Sequence, residues 1–205
     1  MKTIFKRLSI LTVLLLLLIS CTKDSVPSTG GGNSGSPCTP IACLNGGTST
    51  PNCGCNCPQG FTGSNCGTQV TPTQVKITNI RVTKFPDTKP NGSWWDTFPN
   101  SDADIYLTIQ NNSLTTIWTS PTYFQDATGI GTYYYDFVPT TPIIFTNLTS
   151  GYIMNIYDLD TVGSNELIDF VAFNPYSSSG GFPTTKTFTN ASSTFSFQLT
   201  LSYVW

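Results

Sequence analysis

Phe195, Phe197, Leu199, Leu201, Tyr203 and Trp205 alternate with polar residues, and only Val204 interrupts the polar series. A period of two buries one face of an extended chain and leaves the other in water, so this segment is predicted to be a half-buried strand. Ile105, Leu107 and Ile109 repeat the pattern. Val75 and Ile77 also alternate, but Ile80 and Val82 continue one residue out of phase, which predicts a bulge at Thr78-Asn79. Further strands are expected at 115–118, 131–137, 143–145, 152–157 and 167–173, separated by Pro, Gly, Asn or Ser. No segment carries a helical period over three turns. Seven or eight short strands predict an all-β domain over residues 74–205, an antiparallel β-sandwich of two sheets.

Residues 10–19 differ in kind: they form a nearly unbroken apolar run behind the basic start Met1-Lys2-Thr3-Ile4-Phe5-Lys6-Arg7. The run is too short to span a bilayer comfortably and reads as the core of a signal peptide over residues 1–20. Leu18-Ile19-Ser20-Cys21 resembles the lipobox of bacterial lipoproteins, which implies cleavage before Cys21 and a diacylglyceryl group on its thiol. An ordinary cleaved signal peptide and an uncleaved anchor are the other readings. Residues 21–37, rich in Gly, Ser and Thr, would then be the lipid anchor and a flexible tether of roughly 20–25 Å. Lys23-Asp24 resembles the short charged signals that send some such lipoproteins to the outer face of the outer membrane. The expected location is therefore the cell envelope, lipid-anchored in the outer membrane and exposed at the surface.

Composition narrows the function. Only 10% of residues are charged, and there is no histidine in the 205, so most triad, imidazole-base and zinc chemistries lack their parts. The chain is not expected to be an enzyme. Cleavage before Cys21 would remove three bases and no acid, leaving eleven acids against six bases, a formal charge of −5. A basic footprint for nucleic acid is absent.

Setting Cys21 aside, the six remaining cysteines fall within 38–66, a stretch too short to fold on a hydrophobic core alone. Six cysteines allow fifteen connectivities. Cys43-Leu44-Asn45-Gly46-Gly47-Thr48, the Cys55-Asn56-Cys57 pair and the closing loop Pro58-Gln59-Gly60-Phe61-Thr62-Gly63-Ser64-Asn65-Cys66 together resemble an EGF-like domain. The sequence departs from that family in one respect, its third cysteine arriving late as Cys53. The resemblance implies the bridges Cys38–Cys53, Cys43–Cys55 and Cys57–Cys66. A zinc cluster is disfavoured, because exported thiols pair in an oxidising compartment. Asn33-Ser34-Gly35-Ser36-Pro37 lacks the acids of calcium-binding members, so the module is expected to be a spacer or a contact surface. Residues 67–73 are expected to link it to the sandwich.

The acids are clustered. Asp96, Asp102 and Asp104 lie in one loop; Asp158, Asp160, Glu166 and Asp169 lie in or just after another. Hard carboxylate oxygens at this density suit calcium, and like charges so gathered destabilise a fold unless a cation or basic partner neutralises them. Solvated turns and an acid/base pair are the alternatives. Asp158-Leu159-Asp160 followed by Glu166 resembles the third calcium loop of the protein kinase C conserved-region-two domain, and Asp104-Ile105-Tyr106 resembles its first, with Glu166 in place of an Asp. The resemblance implies Asp96, Asp104, Asp158, Asp160 and Glu166 as calcium ligands at one end of the sandwich. Trp94-Trp95 is either core or an exposed ligand contact, suited to a membrane or to sugar rings. The expected function is adhesion or binding of a glycan, protein or lipid head group at the surface. A purely structural envelope role, or service as accessory to a hydrolase or glycan-uptake system, stands beside it.

Overall fold

In the computed structural model, which describes residues 38–96, 101–129 and 131–205, the described residues form strands and turns without helix. The signal peptide, Cys21 and the tether lie outside the described residues. Residues 38–205 form one unit.

The cysteine-rich stretch has four two-residue strands. β1 (Thr48–Ser49) pairs with β2 (Cys55–Asn56), and β3 (Phe61–Thr62) with β4 (Thr68–Gln69). Disulfides join Cys38 to Cys53, Cys43 to Cys55 and Cys57 to Cys66, the pairs the family resemblance implies. With so few backbone ladder bonds, these covalent links supply the constraint that a hydrophobic core supplies elsewhere.

Ten strands follow: β5 (Gln74–Lys84), β6 (Ala103–Asn111), β7 (Thr116–Thr119), β8 (Phe124–Ala127), β9 (Tyr135–Phe137), β10 (Ile143–Phe145), β11 (Tyr152–Asp158), β12 (Glu166–Phe173), β13 (Thr185–Thr189) and β14 (Ser196–Val204). They make two antiparallel sheets. In the first, β5 lies between β14 and an edge position filled by β10 and β9 in succession, with β13 beyond β14. In the second, β12, β11 and β6 are neighbours, and β7 and β8 share the edge beside β6. Ten strands thus occupy eight positions.

The expected bulge of β5 is at Thr78, and a second irregularity leaves Thr83 unpaired between the Val82–Phe197 and Lys84–Ser196 pairs. Ile77 pairs with Leu201 and Asn79 with Thr200, so Thr78 has no opposite number, and Val75, Ile77, Ile80 and Val82 all point inward with no exposed surface. They meet Ile105, Leu107 and Ile109 of β6 and Phe197 and Leu199 of β14 in the core. Aromatic rings fill its centre: Phe197 lies 5.6 Å from Phe173, 5.5 Å from Phe188 and 5.7 Å from Phe195. The strand expected over 131–137 shortens to Tyr135–Phe137, because Tyr133 and Tyr134 are solvent-exposed. β8 and β13 are strands that the alternation did not reveal.

Residues 67–73, expected to link the two parts, are themselves paired and hydrogen-bonded. Thr68 and Gln69 complete the β3–β4 ladder, and the Thr73 N–H donates to the Val204 carbonyl at 2.7 Å. The Gln69 amide donates to Tyr176 Oη and to the Ser177 carbonyl, both at 3.0 Å, and accepts from the Gly181 N–H at 2.9 Å. Beside it, Phe182 is edge-on to Phe61, Tyr203 and Trp205 at 5.3, 5.2 and 5.0 Å. The disulfide-stapled stretch is therefore seated on the sandwich by one amide and one aromatic cluster.

Gly60 makes that seat possible. Its φ is +89°, and an added Cβ would stand 2.3 Å from Phe182 Cε2 and 2.7 Å from Trp205 Cζ2. Gly63 has a similar φ of +93° but its Cβ would meet only Thr68, at 3.3 Å and beyond. Both substitutions by alanine carry the left-handed backbone penalty; only Gly60→Ala adds overpacking of about 1–3 kcal/mol. Gly60→Ala is expected to lower the melting temperature roughly 3–10 °C further than Gly63→Ala. Parallel thermal melts of the two variants check this, and equal shifts would refute the seat.

Candidate metal centre

β11 reads Tyr-Ile-Met-Asn-Ile-Tyr-Asp, and its alternation turns Tyr152, Met154, Ile156 and therefore Asp158 inward. A carboxylate thus sits on the core side of the strand with 0% exposure. Its Oδ1 accepts the backbone N–H of Asp104 at 2.8 Å, while Oδ2 is buried with no hydrogen-bond partner. Such an orphaned oxygen is costly unless something else satisfies it.

Its neighbours are further acids. Carboxylate oxygens of Asp96, Asp158 and Asp160 lie within 4.8 Å of one another. The loop after β11 is held by Asn165, whose Oδ1 accepts the Asp160 N–H at 3.2 Å and whose Nδ2 donates to Tyr106 Oη at 3.0 Å. The Leu159 N–H donates to the Asp104 carbonyl at 2.8 Å, and Ser101 Oγ donates to Asp96 Oδ2 at 3.3 Å. Burial foremost, then the charges of Asp96, Asp160 and Asp104, pushes Asp158 up to about 6 against a backbone hydrogen bond that pulls it down. Asp104 and Asp160 are also raised, each by burial first and by neighbouring carboxylates after it.

Of the five expected ligands, Asp96, Asp158 and Asp160 converge. Asp104 stands close by, but its Oδ1 accepts the Asp126 N–H at 2.9 Å. Glu166 pairs opposite Asp158 across the β11–β12 ladder, yet its side chain forms an ion pair with Lys89. Lys89 belongs to the turn that brings Thr88 to Trp94, a contact that no local pattern announces. The expectation for the tryptophan pair needs correction at one residue. Trp95 is only 4% exposed, donates from Nε1 to the Pro86 carbonyl at 2.9 Å and belongs to the core, so it cannot contact a ligand; Trp94 is 45% exposed.

Oxygen-only donors, three carboxylates in mutual reach and a buried oxygen lacking a partner fit a hard divalent cation such as calcium. Asp96, Asp158 and Asp160 would hold it, and its charge would offset their repulsion.

No family model matches the chain, and no curated protein matches it. Solved structures with a similar course include a C2 domain (14% identity, TM-score 0.41, covering 63% of this chain and 97% of that one). Another is human GIVD cytosolic phospholipase A2 in complex with methyl gamma-linolenyl fluorophosphonate (15%, TM-score 0.39, covering 64% of this chain). A third is a C2 domain of plant Extended Synaptotagmin 1 (11%, TM-score 0.35, covering 66% and 99%). The chain spans 17% of the phospholipase's length. At these scores the sandwich is described by its own strand order.

The raised Asp158 makes a signed prediction for the metal-free protein. The folded state holds this proton more tightly than the unfolded chain, whose Asp titrates near 3.9. Its contribution to stability is therefore complete below about pH 4 and is lost as pH rises through about 6. In EDTA, the wild-type melting temperature should fall over that window relative to Asp158→Asn, whose amide stays neutral. Superimposable pH profiles for the two proteins would refute the assignment.

Proposed function

We propose that this chain is a cell-envelope lipoprotein, anchored through Cys21, that presents an EGF-like module and a calcium-binding sandwich end for ligand binding at the surface. The observation that carries the calcium part is the buried Asp158 carboxylate, one oxygen spent on Asp104 and the other without a partner, beside Asp96 and Asp160. Trp94, exposed next to Asp96, supplies an aromatic contact at the same end. The three disulfides support maturation in an oxidising compartment, in keeping with an exported chain. Binding rather than catalysis is favoured by a sequence without histidine.

Calcium is expected to raise the melting temperature of the whole chain. At a hundred times its dissociation constant, a ligand of the native state adds about 2.7 kcal/mol, a shift of roughly 5–10 °C here. Magnesium should do less, since it gives up water reluctantly and demands octahedral geometry. Asp158→Asn with Asp160→Asn should abolish the response, whereas Glu166→Gln should keep most of it, because Glu166 is already neutralised by Lys89. Identical melts in EDTA, magnesium and calcium would end the calcium reading.

The anchor is tested separately. Cys21→Ser, expressed in a bacterial host, should leave the membrane fraction or retain its signal peptide. Mature protein that fractionates with membranes as before would show that no lipid is attached there.

A further inference from the structure

The end of the sandwich away from the carboxylates carries the opposite charge. From Glu166 to Asn174 is eight residues, about 26 Å along an extended chain. There, between the β12–β13 connection and the start of β11, lies a cavity of about 670 Å³ lined by Leu148, Phe173, Tyr176, Ser177, Lys186 and Phe188 among others. A second hollow of about 250 Å³ shares Ser177 and Lys186 and runs on past Gly181 and Pro183 to Tyr203. Lys186 is the cationic side chain common to both.

Its ammonium has one acceptor among the described residues, the Asn174 carbonyl at 3.0 Å, and lies 5.0 Å from the centre of the Phe188 ring. An ammonium carries three donors. The two salt bridges among the described residues, Arg81–Asp136 and Lys89–Glu166, leave Lys186 without a carboxylate. Among the described residues, no acidic side chain lines either hollow. Asp169, the last acid on β12, is occupied by Asn190 Nδ2 at 2.9 Å and Thr194 Oγ1 at 2.6 Å. Burial lowers the Lys186 pKa, which marks an ammonium short of solvent as well as of a counter-ion.

We propose that Lys186 and the two hollows it joins bind a carboxylated sugar residue within an acidic polysaccharide. A single lysine balances one carboxylate. A phosphate asks for more, usually a second cation, and Lys186 is the one cationic side chain among the described residues lining this cavity. Phe188, only half-buried, offers ring surface for the C–H face of a sugar, while Thr71, Thr149, Ser177 and Ser178 supply hydroxyls for its own. Two hollows that share Ser177 and Lys186 suit consecutive residues of a chain better than one free acid. The site makes no use of calcium, so it stands or falls apart from the metal centre, and it deepens the surface-binding reading by giving the ligand class.

The test is calorimetric titration of the full chain, in EDTA and low salt, with uronate tetrasaccharides of galacturonate, mannuronate, guluronate and a glucuronate-containing repeat. Their carboxyl-reduced neutral counterparts and inorganic phosphate are titrated alongside. At least one uronate tetramer should bind, at least tenfold more tightly than its neutral counterpart and than phosphate. Lys186→Met should weaken binding tenfold or more, and Lys186→Arg should recover part of the loss. Lys76→Met, at the same end but outside both hollows, should leave binding unchanged. Should Lys186→Met misfold, Ser178→Tyr, which fills the larger hollow while keeping the lysine, should give the same loss. The proposal is overturned if no uronate binds, if neutral sugar or phosphate binds as well, or if Lys76→Met weakens binding as much as Lys186→Met.

Discussion

One extra residue in β5 organises the sandwich. Side chains alternate strictly along a strand, so without the bulge at Thr78 either Val75 and Ile77 or Ile80 and Val82 would face water. With it, all four are buried, and the strand changes phase midway. The edge position beside β5 divides near the same point: β10 pairs with residues 75–77 and β9 with 80–82. β6 shows the matching division, with β8 beside its first residues and β7 beside its last. Long central strands with divided edges give the sandwich its loops, and the loop ahead of β6 and the one after β11 carry Asp96 and Asp160 to one end.

The strands were legible where burial is one-sided. β14, β6 and β11 show the two-residue period because one of their faces meets the core and the other meets water or polar neighbours. β13, Thr-Lys-Thr-Phe-Thr, lies at a sheet edge with no residue fully buried, so its sequence carries no such record. β8 buries only its terminal Ala127 fully. The site divides in the same way. Asp158 and Asp160 stand out because two acids flank a hydrophobic residue at the end of an apolar strand, a local signal. That Lys89 would neutralise Glu166, or that Trp95 would enter the core while Trp94 remained outside, depends on a turn folding back across the sandwich end. Lys186 gave no signal at all, since its meaning lies in the absence of an acid nearby.

Charge is distributed along the long axis of the sandwich in a way that opposes its stability locally. At one end, three carboxylates share a space that burial makes hostile to charge, and burial with its neighbours' charges raises the Asp158 pKa to about 6. At the other, Lys186 keeps its ammonium against an aromatic ring with one carbonyl for company. The sheets also carry Arg81–Asp136, an internally balanced pair, and Asp169, which Asn190 and Thr194 hold. The two proposed ligands, opposite in sign, would influence each other little, since screening at physiological salt acts over about 8 Å.

The first long strand of the sandwich is completed by the last. β5 lies between β14 and the β9–β10 edge, and Lys84 pairs with Ser196, a partner more than a hundred residues later in the chain. Pairings over such distances form slowly, because a large loop must close before any contact rewards it. A chain that emerges from its N-terminus meets this restriction at every stage of synthesis. Until residues 196–204 are available, β5 lacks its principal neighbour, and the aromatic seat around Phe182 lacks Tyr203 and Trp205. The topology thus delays closure, leaving the sandwich open until its last strand has been made.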